Sequence, residues 1–166
     1  EVANEAANGE VCACANDNAP GQVVVSGTKA AVERAVEIAG EKGARRAVLL
    51  PVSAPFHCPL MLPAADAMAE ALEGINIRQP MVPLVANVAA EKVTDPDTIR
   101  AYLIDQVTAM VRWRESVLYM KEQGIDTLIE VGPGKVLSGL ARRIDRGLTG
   151  KSIQQPDDLE AIVKEL

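Results

Sequence analysis

The chain is poor in aromatic residues, has one histidine, and lacks any long apolar run. Its aromatic side chains are Phe56, Tyr102, Trp113 and Tyr119, although 48% of residues are apolar. A core must therefore come from Val, Leu, Ile and Ala, the composition of an aliphatic α/β protein. No apolar stretch reaches the roughly 18 residues of a membrane-crossing helix, and no basic segment leads into an apolar one as in a secretory signal. Lys and Arg number 17 against 23 Asp and Glu, a net charge of −6, which disfavours nucleic acid and anionic membranes as partners. Three cysteines, an odd number without framework spacing, point to a reducing, cytoplasmic setting without disulfides. No Gly-x-Ser-x-Gly elbow surrounds Ser26, Ser53, Ser116, Ser138 or Ser152, and no Gly-rich dinucleotide fingerprint occurs. The chain begins at Glu1 within a helical pattern and reads as the later part of something longer.

What is present is organised around Pro51–Met61, which carries the sole histidine, His57, between Pro55 and Pro59. Prolines stiffen the chain on both sides, and histidine alone titrates near neutrality without perturbation. The connector lies between a predicted strand at Arg46–Val52 and a helix at Leu60–Glu73, whose Met61, Ala65, Met68 and Leu72 share a face. Upstream, a helix ends at Gly9. Val11–Ala15 and Gln22–Ser26 read as a hairpin around an Asn16–Gly21 loop of turn formers. Thr28 then caps a helix reaching Gly43. This order resembles a ferredoxin-like lobe without its first strand. Downstream, the pattern predicts a strand at Pro83–Asn87, a helix from Asp95 toward Gln106 and a helix at Arg112–Gln123. A strand at Asp126–Val131 follows, then a helix at Lys135–Arg146, a strand at Lys151–Ile153 and a last helix from Asp157. The alternation implies a mainly parallel α/β core, divided as a small lobe over 1–52 and a core over 53–166.

His57 reads as a general base, against the alternative of a buried histidine satisfied by a carbonyl. A base needs an orienter that fixes its tautomer, and spacing does not choose one. Cys58 adjoins it, but neighbours in extended backbone face opposite ways, which argues against a Cys–His nucleophile pair. Cys12, Cys14, Cys58 and one histidine match no structural zinc spacing, so no metal is expected. Gly132-Pro133-Gly134-Lys135 lacks full phosphate-loop spacing and reads as a tight turn. Arg142, Arg143 and Arg146 either complement a helix C-terminus or offer cations to an acidic partner.

Three separated motifs, Asn18–Gly27, Pro51–Met61 and Glu130–Leu137, resemble in order and spacing the malonyl-CoA:acyl-carrier-protein transacylase family, over its C-terminal half. The resemblance implies part of an acyltransferase fold: a mainly parallel, hydrolase-like α/β core with a small ferredoxin-like lobe. It implies ping-pong transfer of malonyl from CoA to the phosphopantetheine thiol of acyl carrier protein through a seryl ester, in fatty acid synthesis. His57 would be the base and acid, oriented by the backbone carbonyl of Gln106. Phe56 would favour malonyl by filling the space of an α-methyl group, and Asn87, Asn16 and Asn18 would line the rim. The implied partners are acyl carrier protein, malonyl-CoA and the N-terminal portion of the same enzyme, with no resident cofactor. That portion would bring the serine elbow, the arginine for the malonyl carboxylate and the oxyanion hole. The chain alone would then be inactive. The alternative is a non-enzymatic module that binds acyl carrier protein on the same scaffold. Met110 departs from the family's usual proline before Val111–Trp113.

Overall fold

The computed structural model describes residues 1–165. It is a mixed α/β arrangement of seven helices and three two-stranded sheets among these residues. Helix α1 (Val2–Ala7) leads into β1 (Cys12–Ala19) and β2 (Gln22–Gly27), an antiparallel hairpin. Helix α2 (Lys29–Glu41) follows, its first turn capped by Thr28, whose Oγ1 accepts from the Ala31 amide at 3.3 Å. Ala6, Cys12, Ala31 and Ala35 form the buried cluster that joins α1, β1 and α2. Small residues there let the helices sit close to the hairpin.

Two expectations need correction here. Asn16, Asp17 and Asn18, read as loop, belong to β1, which continues to Ala19 and turns only at Pro20–Gly21. Turn-forming residues are accommodated because the register slips between Cys14 and Asn16 and again between Asp17 and Ala19, and such bulges bend a strand and re-aim its side chains. The strand expected at Arg46–Val52 does not form. A strand needs a ladder partner, and none of the strands formed by the described residues lies beside it. Val48, Leu49, Leu50 and Val52 are instead exposed at 52, 57, 51 and 60%.

A single 3-10 turn at Pro59–Met61 opens α3 (Leu62–Glu73), which buries Ala65 and Leu72. Strands β3 (Leu84–Ala86) and β4 (Glu91–Val93) pair antiparallel. Helix α4 (Pro96–Asp105) starts at Asp95, whose carboxylate accepts from the Thr98 amide at 2.8 Å. Ala86, Val93 and Ile99 form a second buried cluster between this pair and α4. Helix α5 (Trp113–Glu122) packs against β1. Strand β5 (Thr127–Val131), helix α6 (Val136–Ile144) and strand β6 (Thr149–Ile153) make a parallel β-α-β unit, and α7 (Pro156–Val163) closes the described chain. None of the described helices is long and apolar enough to cross a membrane.

Candidate active site

His57 occupies a tight turn at the head of the α3 connector. The Phe56 amide donates to the Ala54 carbonyl at 3.0 Å, and His57 itself adopts φ 57°. A left-handed conformation is costly for a residue with a Cβ, and such strain concentrates where a side chain must be aimed. The next residue, Cys58, returns to extended backbone and is fully buried, its Sγ donating to the Pro55 carbonyl at 3.2 Å. The two side chains thus have different surroundings, and Cys58 does not pair with the imidazole.

His57 Nδ1 lies 3.0 Å from the carbonyl oxygen of Gln106, which caps the end of α4. A carbonyl can only accept, so Nδ1 must carry the proton in the neutral ring. That leaves the Nε2 lone pair free to take one. The imidazole is half-buried rather than enclosed, so proton exchange with a second molecule is open to it.

Of the other residues singled out from the sequence, only Asn87 shares a hollow with Gln106. Asn87 follows β3 and, with Gln106, lines a hollow of about 140 Å³ that also includes Val85, Tyr102 and Leu103. Asn16 and Asn18 lie on β1, and Asn16 pairs with Val111 in an isolated parallel bridge. Phe56 is 47% exposed beside the histidine. Met110, at the departure from the usual proline, precedes that bridge and leaves the start of α5 intact at Trp113. Sequence reasoning missed Asp17, which receives a bidentate contact from Arg114: Nε stands 3.0 and 2.9 Å from the two carboxylate oxygens and Nη2 stands 2.6 Å from Oδ2. Nothing in residue spacing pairs positions so far apart.

The Gly132–Lys135 turn is occupied from within. Glu130 accepts from the Ser138 amide at 2.8 Å and from its hydroxyl at 2.9 Å, and the Gly134 amide donates to Gln154. The helix start already holds an internal carboxylate. Arg143 is committed to the hairpin turn through Gln22 and the Pro20 carbonyl, while Arg142 and Arg146 are exposed. Among the described residues no three His, Cys, Asp or Glu side chains gather as a metal-donor set.

An imidazole held at Nδ1 by a main-chain carbonyl, with Nε2 free, is equipped to relay a proton to and from a nucleophile. The chain belongs to the acyl transferase domain family, whose match covers residues 3–154. It is similar to the malonyl CoA-acyl carrier protein transacylase of Escherichia coli K12, 46% identical over 164 residues, covering 99% of this chain and 53% of that protein. The crystal structure of acyl-carrier-protein-S-malonyltransferase from Bartonella henselae superposes with a TM-score of 0.94 at 48% identity, over 99% of this chain and 52% of that one. A holo type II PKS acyl-carrier protein in complex with its malonyl-transacylase gives a TM-score of 0.95 at 41% identity, over 99% of this chain and 53% of that one. The chain thus spans about half the length of the relatives it matches.

Proposed function

We propose that this chain supplies the general base of a malonyl-CoA:acyl-carrier-protein transacylase and works with a serine carried on polypeptide outside it. The observation that carries the reading is the His57 Nδ1 contact with the Gln106 carbonyl. In the first half-reaction the serine oxygen attacks the malonyl thioester carbonyl while its proton passes to His57 Nε2. The tetrahedral intermediate collapses, the carbon–sulfur bond breaks, and the departing CoA sulfur takes that proton from Nε2. In the second half Nε2 removes the proton from the phosphopantetheine thiol of acyl carrier protein. The thiolate attacks the seryl ester, and serine leaves with the proton returned. Main-chain orientation suffices, because a carbonyl dipole fixes the ring without adding a charge.

On this reading Phe56 borders the acyl group, and Asn87, Asn16 and Asn18 line the rim. The hairpin and its helices over 1–52 form a small lobe, and 53–166 belongs to the catalytic core. The chemistry needs no resident cofactor, and the setting is cytoplasmic, where malonyl-CoA and carrier proteins for fatty acid synthesis are met. The segment that brings the serine covers the exposed run at Val48–Val52 and the open pocket of about 300 Å³ between Leu84, Trp113, Ile129 and Leu137.

The test is complementation. Mixed with malonyl-CoA alone, the chain forms no seryl ester. Co-expressed with the N-terminal half of the Escherichia coli relative, it gains transacylase activity, and His57→Ala in that complex lowers the rate by about 10²- to 10⁴-fold, the range of a lost general base. A stoichiometric malonyl-serine on this chain by itself, or full activity with alanine at position 57, overturns the assignment.

A further inference from the structure

The start of α5 carries two arginines, and each makes contact with a segment beyond its own helix. Arg114 grips Asp17 of β1 through the bidentate contact described above; the Asp17 side chain is only 14% exposed. Arg112 Nη1 donates to the Val88 and Ala89 carbonyls at 3.1 and 3.0 Å, and its Nε donates to Glu115 at 3.1 Å. The first tie fixes β1, the strand of Asn16 and Asn18. The second fixes the turn that follows Asn87. Between α4 and α5 runs the connector Val107–Arg112, whose far end is sewn to β1: the Val111 amide donates to Ala15 at 2.8 Å, and the Asp17 amide donates to Val111 at 2.9 Å. Its near end is wound onto α4 by Val107 and Ala109 amides donating to Ile104 and Asp105. Gln106 stands at that near end, with its carbonyl on His57.

We propose that the Arg114–Asp17 pair, seconded by Arg112, is a positioning device for the base: it locks the connector against β1 and so holds the Gln106 carbonyl where it selects the Nδ1–H tautomer of His57. The proposal rests on the base reading given above, but the two are separable by experiment. With Arg114 still 39% exposed, solvent screening limits what the pair adds to stability, whereas its bidentate guanidinium–carboxylate contact fixes geometry. Its value here is orientation. None of the three residues touches the imidazole, so their effect must pass through the connector.

The ring itself reports on this. In the chain labelled with ¹⁵N-histidine, long-range ¹H–¹⁵N correlation spectra distinguish the two neutral tautomers. The wild type shows the proton on Nδ1. Asp17→Asn and Arg114→Ala lower the ratio of Nδ1–H to Nε2–H about tenfold, a coupling ordinary for members of one hydrogen-bonded network. Arg114→Lys, which keeps the charge but loses the fork, falls between, and Lys29→Ala, which removes an exposed pair on α2, changes nothing. An unchanged ratio in folded Asp17→Asn overturns the device while leaving the base intact. A wild-type ring protonated on Nε2 overturns the base reading itself. Should both variants fail to fold, amide exchange on the wild type decides. The device requires the Asp17 and Val111 amides to open together with the ring Nδ1 proton, and fast exchange at Val111 beside a protected Nδ1–H refutes it.

Discussion

Cys58 and His57 are neighbours in sequence, one fully buried and the other half-buried. The left-handed turn at His57 presents its imidazole toward Gln106 and drives Cys58 into full burial against the Pro55 carbonyl. With its sulfur fully enclosed, Cys58 is out of reach of a dissolved reagent. Burial pushes the Cys12 and Cys14 thiols above their ordinary range. The expected outcome is that Cys58 resists a water-soluble disulfide reagent in the folded chain and that all three thiols titrate once urea unfolds it. Fast reaction of Cys58 under native conditions shows that the turn is open. From the sequence, the alternation of extended side chains gave the correct separation of Cys58 from His57 but not its cause, because no pattern announces a non-glycine residue at positive φ.

At the level of elements, the helices were legible where their caps and periodicity agree. Thr28, Asp95 and the mixed apolar face of α5 announced α2, α4 and α5. Strand β4, Glu91–Val93, was not predicted, because two charged residues ahead of Val93 show no alternation of polarity. Strand β6 starts at Thr149 rather than Lys151, because Gly150 reads as a turn. Its glycine is there for contact: a Cβ on Gly150 would stand 2.3 Å from the Ser138 carbonyl oxygen of α6. Gly150→Ala therefore forces β6 and α6 apart, and the expected cost is about 1–3 kcal/mol, read as a lower urea midpoint without a change in slope. An unchanged midpoint means that the helix stands further from the sheet.

The carboxylates at helix starts set the acid response. Hydrogen bonds from Thr98 hold the Asp95 carboxyl below its usual value, the Ser138 amide does the same for Glu130, and the Gln154 and Gln155 amides do so for Asp158. A group whose folded-state pKa is depressed contributes stability above its unfolded pKa and loses it as pH falls through the folded one. The urea midpoint is therefore expected to hold steady at neutral pH and to fall from about pH 5 downward. Asp95→Asn and Glu130→Gln flatten that fall. A midpoint that rises on acidification contradicts the assignment of these caps.

Across the whole molecule, surface area governs how the chain is expected to behave on its own. A compact monomer of 17.6 kDa exposes about 7,900 Å² by the scaling of surface with mass, whereas this chain exposes 10840 Å². The excess, about 2,900 Å² on this one chain, is what a large permanent protein–protein interface takes from one partner. It includes apolar side chains that ordinary surfaces hide: Met81 is 102% exposed, Val131 77%, Val82 72% and Val136 69%. Trp113 Nε1 is buried with no acceptor among the described residues, a group whose isolation costs about 1–3 kcal/mol. The expected strand at Arg46–Val52 belongs to the same account. Its residues have strand composition, but no strand of the described residues lies beside them, and no local pattern can supply that partner. Such a surface is expected to associate. In sedimentation the purified chain should shift to larger species as concentration rises, and co-expression with the N-terminal half of a family relative should convert it to one defined heterodimer. Helix content should be retained, and the amides of Val48–Val52 should become protected from exchange on pairing. A monomer at all concentrations, with the same four amides unprotected in the complex, would mean that this face is not where the second half docks.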